Sequence, residues 1–142
     1  MLGYGYQACL SIVWGLVEVD LSNGTKLTDL AASSIAKTKN PERLRLARCK
    51  LVIDMGIDCI AVGCRKLRSF CLKWRFHVGD LGVKLIALKC KKIKSLDISY
   101  LPITENNLKF VLQLQDLDDL VLRDAMALMK MAFQHSSKVA SR

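Results

Sequence analysis

The sequence contains few of the residues that catalytic and metal sites usually need. It has only two histidines, His77 and His135, which are far apart in the chain, and none of its six cysteines belongs to a C-x-x-C pair. This arrangement lacks the spacing of zinc ligands and of redox motifs. A glycine-rich phosphate-binding loop and a pair of catalytic carboxylates are also missing from the sequence. We therefore predict that the chain is not an enzyme and that it uses no metal and no cofactor.

The chain also lacks a long apolar run. Its most apolar early stretch, residues 8–17, contains Ser11 and Gly15 and is far shorter than the roughly 20 residues that span a bilayer. No Lys or Arg precedes this stretch and no small-x-small cleavage site follows it, so a secretory signal is not expected. The cysteines suit a reducing compartment, as free and mostly buried thiols. We expect a location in the cytoplasm, the nucleus or both, without contact with a membrane.

Positive charge, in contrast, is abundant. The sequence has 22 Lys and Arg residues against 13 Asp and Glu residues, which gives a formal net charge of +9. Such an excess favours acidic partners of any kind, including nucleic acid, but says nothing about the fold. The charges are scattered through apolar sequence, which is typical of solvated faces. Aromatic residues are not interleaved with the basic clusters, so we do not expect nucleic acid as the partner.

A repeat is the strongest pattern in the sequence. Equivalent apolar positions recur at Leu21, Leu46, Leu72, Ile98 and Leu122, with separations of 25, 26, 26 and 24 residues. Acidic residues recur downstream at Asp29, Asp54, Asp80 and Glu105, and the pairs Gly56 and Gly82, and Cys64 and Cys90, are each one period apart. Several independent positions that share one period indicate a stack of repeated units.

Each unit divides into a strand and a helix. The first half follows the pattern L-x-x-L-x-L, in which central alternation predicts a short strand with one face inward. The second half has helical spacing of apolar residues. We expect Asp54 and Asp80 to accept backbone N–H bonds at the start of their own helices, and Gly63 to end a helix in the left-handed conformation.

One strand and one helix cannot bury their own apolar faces, whereas stacked copies can. The predicted fold is therefore an α/β solenoid, right-handed, with a short parallel sheet on the concave face and helices on the convex face. Residues 1–15 do not follow the repeat, residues 16–124 hold about four and a half units, and residues 125–142 are predicted as a helical remnant with a frayed tail. Because neither end has a polar cap, we expect exposed apolar surface at one or both ends.

The run LVIDMGIDCIAVGCRKLRSFCLKWRFHVGDLGVKLIALKCKKIKSLDISYLPIT closely resembles the cysteine-containing leucine-rich repeats of plant F-box/leucine-rich-repeat proteins. The resemblance covers residues 16–123 and is most specific over residues 41–104. It implies a substrate-recognition role: in this family an amino-terminal F-box docks on the adaptor of a cullin-based (SCF-type) ubiquitin ligase, and the repeats hold the protein to be ubiquitinated. No F-box precedes the repeats here, so we expect no adaptor binding from this chain alone, and a truncated gene copy is one explanation.

The chain also departs from the family in its loops. The usual repeat cysteine after the strand is present as Cys49, but Gly24, Arg75 and Leu101 occupy the equivalent positions. These replacements put the usual loop packing in question.

The strand residues between the buried leucines are the predicted partner-binding residues, since they point to the concave face that stacked repeats commonly use for contact. The predicted set is Arg43, Arg45, Ser69, Cys71, Lys73, Ser95, Asp97, Ser99, Asp119 and Arg123. The simpler alternative is that these positions are only solvated. Trp74, which follows the third strand, is either a partner anchor or part of the loop packing, and loop packing is the interpretation we prefer.

A basic edge is predicted where each helix turns back to the next strand. It comprises Lys39, Arg65, Lys66, Lys91 and Lys92, together with Lys37 and Lys89. Either this edge binds an acidic partner, or its lysines favourably cap helix carboxyl ends, which is the interpretation we prefer. The motif KCKKIK within it is only a weak nuclear-localisation signal. Cys64 and Cys90 are expected to be buried structural thiols, because no histidine near them can act as a base.

These observations predict a non-catalytic, protein-binding repeat segment that belongs to substrate recognition in ubiquitin-dependent degradation. The main alternative is an interaction scaffold or decoy that competes with a full-length relative for the same partner.

Overall fold

Short strands form where one apolar residue lies between two that face away from the core. The computed structural model describes residues 9–13, 15–74, 77–124 and 139–140. Within them the strands are β1 (Cys9–Val13), β2 (Leu16–Asp20), β3 (Arg43–Arg45), β4 (Ser69–Cys71), β5 (Ser95–Asp97), β6 (Asp119–Val121) and β7 (Val139–Ala140). In β3, for example, Leu44 is buried between the exposed Arg43 and Arg45.

The described strands form one sheet in sequence order, from β1 to β7. β1 and β2 are antiparallel and are joined through Gly15, whose φ of 78° suits a residue without Cβ. Every later pair is parallel, and Leu44, Phe70, Leu96 and Leu120 are aligned across β3 to β6. A mostly parallel α/β architecture is therefore confirmed.

Helices connect the parallel strands. They are α1 (Asp29–Lys39), α2 (Asp54–Gly63), α3 (Asp80–Lys89) and, after a 3-10 turn at Glu105–Asn107, the short α4 (Leu108–Val111). Consecutive helices are in contact, as are consecutive strands. The buried residues of both layers form one hydrophobic cluster, so the core lies between the sheet and the helices.

The five repeat positions that define the period all belong to this core. Leu21, Leu46, Leu72, Ile98 and Leu122 each directly follow a strand, and each is 0% exposed. The backbone N–H of Leu46 donates to the carbonyl of Cys71, and that of Leu72 donates to the carbonyl of Asp97. The predicted side-by-side placement of these residues is therefore confirmed.

The repeated aspartates accept backbone hydrogen bonds, but not at the helices predicted. Asp54 Oδ1 accepts from the backbone N–H groups of Gly79 and Gly82, at 3.2 and 3.1 Å, at the start of the next helix, α3. Asp29 Oδ1 accepts from Ile53 N at 2.7 Å in the same way. The expectation that Asp54 caps its own helix is wrong, because its carboxylate is aimed at the neighbouring unit.

Asp80 continues this carboxylate ladder into the fourth unit. Its Oδ1 accepts from Thr104 N and from Asn107 Nδ2, both at 2.7 Å, and the Thr104 hydroxyl donates to Oδ2 at 2.5 Å. We use the term carboxylate ladder for Asp29, Asp54 and Asp80, each of which stabilises the helix start of the following unit.

Glycines make room for this packing. A Cβ at Gly56 would lie 2.2 Å from Asp29 Oδ1, and one at Gly82 would lie 2.5 Å from Asp54 Oδ1. Gly63 does not adopt the left-handed conformation predicted for it. The left-handed C-cap occurs at Asn40, with φ of 45°, at the end of α1. At Gly63 a Cβ would instead meet Lys37 Cγ at 2.6 Å, so this glycine accommodates a side chain from the preceding helix.

The two ends of the sheet differ. On β1, Leu10 and Ile12 are 52% and 69% exposed although they pair with Val19 and Val17 on β2, which agrees with the expected apolar surface at one end. The predicted helical remnant at 125–138 lies outside the described residues. Within the predicted frayed tail, Val139–Ala140 forms a strand parallel to β6, because the edge of β6 offers unpaired backbone groups.

The carboxylate ladder predicts a measurable loss of stability in Asp54→Ala. Two backbone donors at the start of α3 would lose their acceptor, and we expect the free energy of unfolding to fall by about 1–2 kcal/mol in urea titrations. The control is Asp116→Ala at an exposed turn position, for which we expect a change within about 0.5 kcal/mol. Equal effects of the two substitutions would contradict the role of the ladder.

Candidate functional site

The sheet face opposite the helices, here called the open face, carries aligned columns of side chains. The parallel register places Arg43, Ser69, Ser95 and Asp119 in one column and Arg45, Cys71, Asp97 and Val121 in the next. Beyond the strand ends, Ala47, Lys73, Ser99 and Arg123 follow as a third column, linked by backbone hydrogen bonds from the adjacent unit. All ten predicted partner-binding residues therefore belong to one surface.

Two of these residues are not accessible on that surface. Cys71 is 9% exposed and Ser99 is 1% exposed. The Ser99 hydroxyl oxygen accepts a hydrogen bond from Arg123 N at 3.0 Å, as the Ser22 hydroxyl oxygen does from Ala47 N at 3.2 Å. Ser99 therefore links neighbouring units in this structure, and its role in partner binding stays a prediction.

Charges on the open face are partly paired. Arg43 lies 3.9 Å from Glu18, and Arg45 lies 3.8 Å from Asp20, in two ion pairs that link β3 to β2. Such exposed pairs contribute at most about 1 kcal/mol each, so their side chains can exchange partners at low cost. Asp97 also accepts a hydrogen bond from Ser99 N at 3.0 Å, which holds its carboxylate at the sheet surface.

A fourth column borders the open face and was largely missed by the sequence analysis. Asn23, Arg48, Trp74, Tyr100 and Asp124 all have positive φ, between 50° and 65°. Their separations of 25, 26, 26 and 24 residues repeat the period of the core, which was the signal available in the sequence. Left-handed backbone at five equivalent positions turns the chain out of the sheet after every strand.

Side chains of this column stack on one another. The rings of Trp74 and Tyr100 are parallel within 10°, with centroids 3.8 Å apart, and the Arg48 guanidinium lies 5.4 Å from the Trp74 ring. We call Arg48, Trp74 and Tyr100 the aromatic ladder. Trp74 and Tyr100 remain partly exposed. Packing within the protein and partner contact are therefore compatible roles for Trp74.

The aromatic ladder and the open face together enclose a groove of about 440 Å³. Its lining includes Arg45, Lys73, Trp74, Asp97, Tyr100 and Arg123. Aromatic faces, cations and carboxylates in one groove can hold protein side chains by stacking and by charge-assisted hydrogen bonds.

The predicted basic edge forms a second surface beyond the helix ends. Lys39, Arg65, Lys66, Lys91 and Lys92 are all exposed. Arg65, Lys91 and Lys92 line one groove with Lys89, whereas Lys39 and Lys66 are not part of its lining. Lys91 Nζ donates to the Ala87 carbonyl at 3.3 Å near the end of α3, and this contact agrees with the helix-capping interpretation for that lysine.

The thiols of Cys64 and Cys90 are buried, as predicted. Burial raises the pKa of the Cys64 thiol to about 11, although the nearby charge of Lys37 opposes this shift. Burial, with a smaller contribution from Cys64, raises the pKa of the Cys90 thiol to about 12. Cys90 Sγ donates to the Ala61 carbonyl at 3.7 Å, and Cys49 Sγ donates to the Leu21 carbonyl at 3.0 Å. The thiols of Cys64 and Cys90 act as packing groups that are mainly protonated at neutral pH.

Among the described residues, His, Cys, Asp and Glu form no group suited to holding a metal ion. In the same residues, no helix has both the length and the apolar character needed to cross a bilayer. A comparison of the chain with models of known protein families finds no match.

The aromatic ladder predicts energetic coupling between Trp74 and Tyr100. In a double-mutant cycle with Trp74→Leu and Tyr100→Leu, we expect a coupling free energy of about 0.5–1.5 kcal/mol from urea unfolding, since either substitution alone removes the stack. Phe110 lies on the helix side of the sheet and packs against the core. A control cycle of Trp74→Leu with Phe110→Leu should be additive within about 0.5 kcal/mol. Additivity in both cycles would argue against the stack.

The buried thiols predict selective alkylation. With iodoacetamide at about pH 8, the half-exposed Cys59 should react well before Cys64 and Cys90, as followed by peptide mass spectrometry. In urea the cysteines should react alike. Fast labelling of Cys64 in the native protein would contradict its burial.

The same burial predicts a pH dependence of stability. Because folding raises the pKa of Cys64 and Cys90 above 9.0, their contribution to stability is complete below that pH and is lost as the pH rises through about 11 to 12.

Proposed function

We propose that the chain is a right-handed leucine-rich-repeat solenoid of the cysteine-containing type, with the open face as its concave surface. The support is the succession of parallel strands in sequence order, each followed by a helix or turn, at a period near 25 residues. Right-handed crossovers are the rule for such connections. The burial of Cys49 and Leu101 at equivalent loop positions shows that either residue fits the core of its unit.

We propose that the concave surface binds a protein partner and that the chain is non-catalytic. The observation that carries this proposal is the aromatic ladder. At left-handed positions Asn or Asp is favoured, as at Asn23 and Asp124, whereas bulky side chains there are disfavoured by about 1–2 kcal/mol. Trp74 and Tyr100 nevertheless occupy such positions, stacked and partly exposed beside a polar groove. Tryptophan, tyrosine and arginine are the residues most enriched in binding hot spots.

The biological role we propose is substrate recognition in ubiquitin-dependent degradation, in the cytoplasm or nucleus. It rests on the resemblance of residues 41–104 to plant F-box/leucine-rich-repeat proteins. A decoy that competes with a full-length relative would use the same concave surface. In a reconstituted ubiquitination reaction, we expect the chain in excess to inhibit modification of the substrate of a full-length relative, because it would bind the substrate but not the adaptor. Modification supported by the chain alone would contradict the expected lack of adaptor binding.

The test of the concave surface is a triple charge reversal, Arg43→Glu, Arg45→Glu and Lys73→Glu. In affinity capture from plant extract, we expect proteins that the wild-type chain binds to be depleted at least about tenfold with this variant. The variant loses the attractive positive charges, and the introduced glutamates repel a partner that those charges attracted. Trp74→Ala should deplete the same proteins without a change in charge.

The matched control reverses three exposed lysines elsewhere, Lys26, Lys50 and Lys109. It changes the net charge equally, and we expect it to retain the captured set. Thermal unfolding of each variant checks that the fold is kept. If the captured proteins are the same for the concave variants and the control, the concave surface is not the binding site.

A further inference from the structure

A second groove lies between the carboxyl ends of α2 and α3, on a side of the repeats that the concave surface does not use. Its volume is about 370 Å³. The apolar part of its lining is formed by Ala61, Val62, Cys64, Leu67 and Cys90. Four of these are buried and form its floor, whereas Val62 is 56% exposed at its margin. A small apolar side chain therefore fits this floor.

The rim of this groove is basic. Arg65, Lys89, Lys91 and Lys92 all line it. Lys37 is close as well, because its side chain packs over Gly63 and its charge acts on the Cys64 thiol. The wider edge adds Lys39 and Lys66, which are both exposed.

The rim cations are only partly neutralised within the described part of the chain. Lys89 forms an ion pair with Asp58 across the two helices, and Lys91 donates to the Ala87 carbonyl. Among the described residues, Arg65, Lys66 and Lys92 have no ion-pair partner. Capping of helix ends therefore accounts for one lysine of the edge and leaves a local excess of positive charge above an apolar floor.

We propose that this groove binds an acidic peptide segment of a partner protein, with one apolar side chain inserted between Val62 and Cys90 and carboxylates on Arg65 and Lys92. Charge complementarity and the apolar floor together favour this ligand. A bilayer surface cannot reach the floor of a cleft between two helix ends, and the lining residues offer no aromatic ring on which nucleic-acid bases could stack. Val62 and Leu88, which is 44% exposed and one period away, extend the apolar contact along the helices.

The probe for this site is a short fluorescein-labelled peptide in which one leucine is flanked on both sides by glutamates. Its binding to the full chain is measured by fluorescence anisotropy at fixed ionic strength. The test variant is Arg65→Glu with Lys92→Glu. The matched control is Lys26→Glu with Lys50→Glu, which has the same net charge but changes exposed residues between a strand and the following helix.

We expect the test variant to weaken peptide binding by about tenfold or more, and the control to weaken it by no more than about twofold. Replacement of the peptide's leucine by alanine should cost about threefold to tenfold, because the floor then lacks its apolar contact. Equal losses for the two protein variants, or no effect of the leucine, would overturn the proposal. Tighter binding of phosphatidylserine vesicles or single-stranded DNA, with the same dependence on Arg65 and Lys92, would also overturn it.

The outcome is independent of the concave surface. The triple reversal at Arg43, Arg45 and Lys73 leaves the groove residues intact, so each surface can fail its own test without affecting the other.

Discussion

The starts of α2, α3 and the 3-10 turn before α4 each rest on a carboxylate that the preceding unit supplies, whereas α1 is capped by its own Thr28, and the stacking of these units depends on this contact. Asp29 accepts from Ile53 N, Asp54 from Gly79 N and Gly82 N, and Asp80 from Thr104 N. No unit can satisfy these donors alone, just as no strand can bury its leucine alone. The hydrogen bonds of the helix layer and the burial of the leucines beneath the sheet therefore require the same neighbouring unit at the same spacing. This agreement between two kinds of interaction keeps the period near 25 residues, because a longer insertion would misalign one layer with the other.

The same stacking produces the surfaces that can bind partners. Strands of three residues expose only narrow columns on the open face, and the chain must leave the sheet soon after each strand. The left-handed residue at that exit sets side chains of neighbouring units beside one another, which is why Trp74 and Tyr100 stack although 26 residues separate them. At the opposite end of the units that contain α1, α2 and α3, the helix ends bring lysines and arginines together in the same way. One period thus generates an aromatic edge and a basic edge.

The sequence was sufficient for the period, for the repeat strands β2 to β6 and for their buried leucines, because each of these depends on apolar spacing alone. It did not predict β1 or β7, which lie outside the repeat. It failed where a contact crosses between units. Asp54 was assigned to its own helix because a carboxylate before an apolar run is the usual sign of a local cap, and the sequence does not show that the side chain is aimed at the next unit. Gly63 was assigned to a left-handed cap for a similar local reason, whereas its role is to admit Lys37. Burial of Ser99 and the stacking of Trp74 on Tyr100 likewise require knowledge of which side chains lie one unit away.

The two candidate surfaces both lie on the central units. Asp54 fixes the start of α3, and the carboxyl end of α3 carries Lys89 and Cys90 at the basic groove. The strands β4 and β5 carry residues of the concave columns. Both grooves therefore span the boundary between the unit of α2 and the unit of α3. A ligand that touches both sides of that boundary stabilises the stacked state over any state in which the units separate.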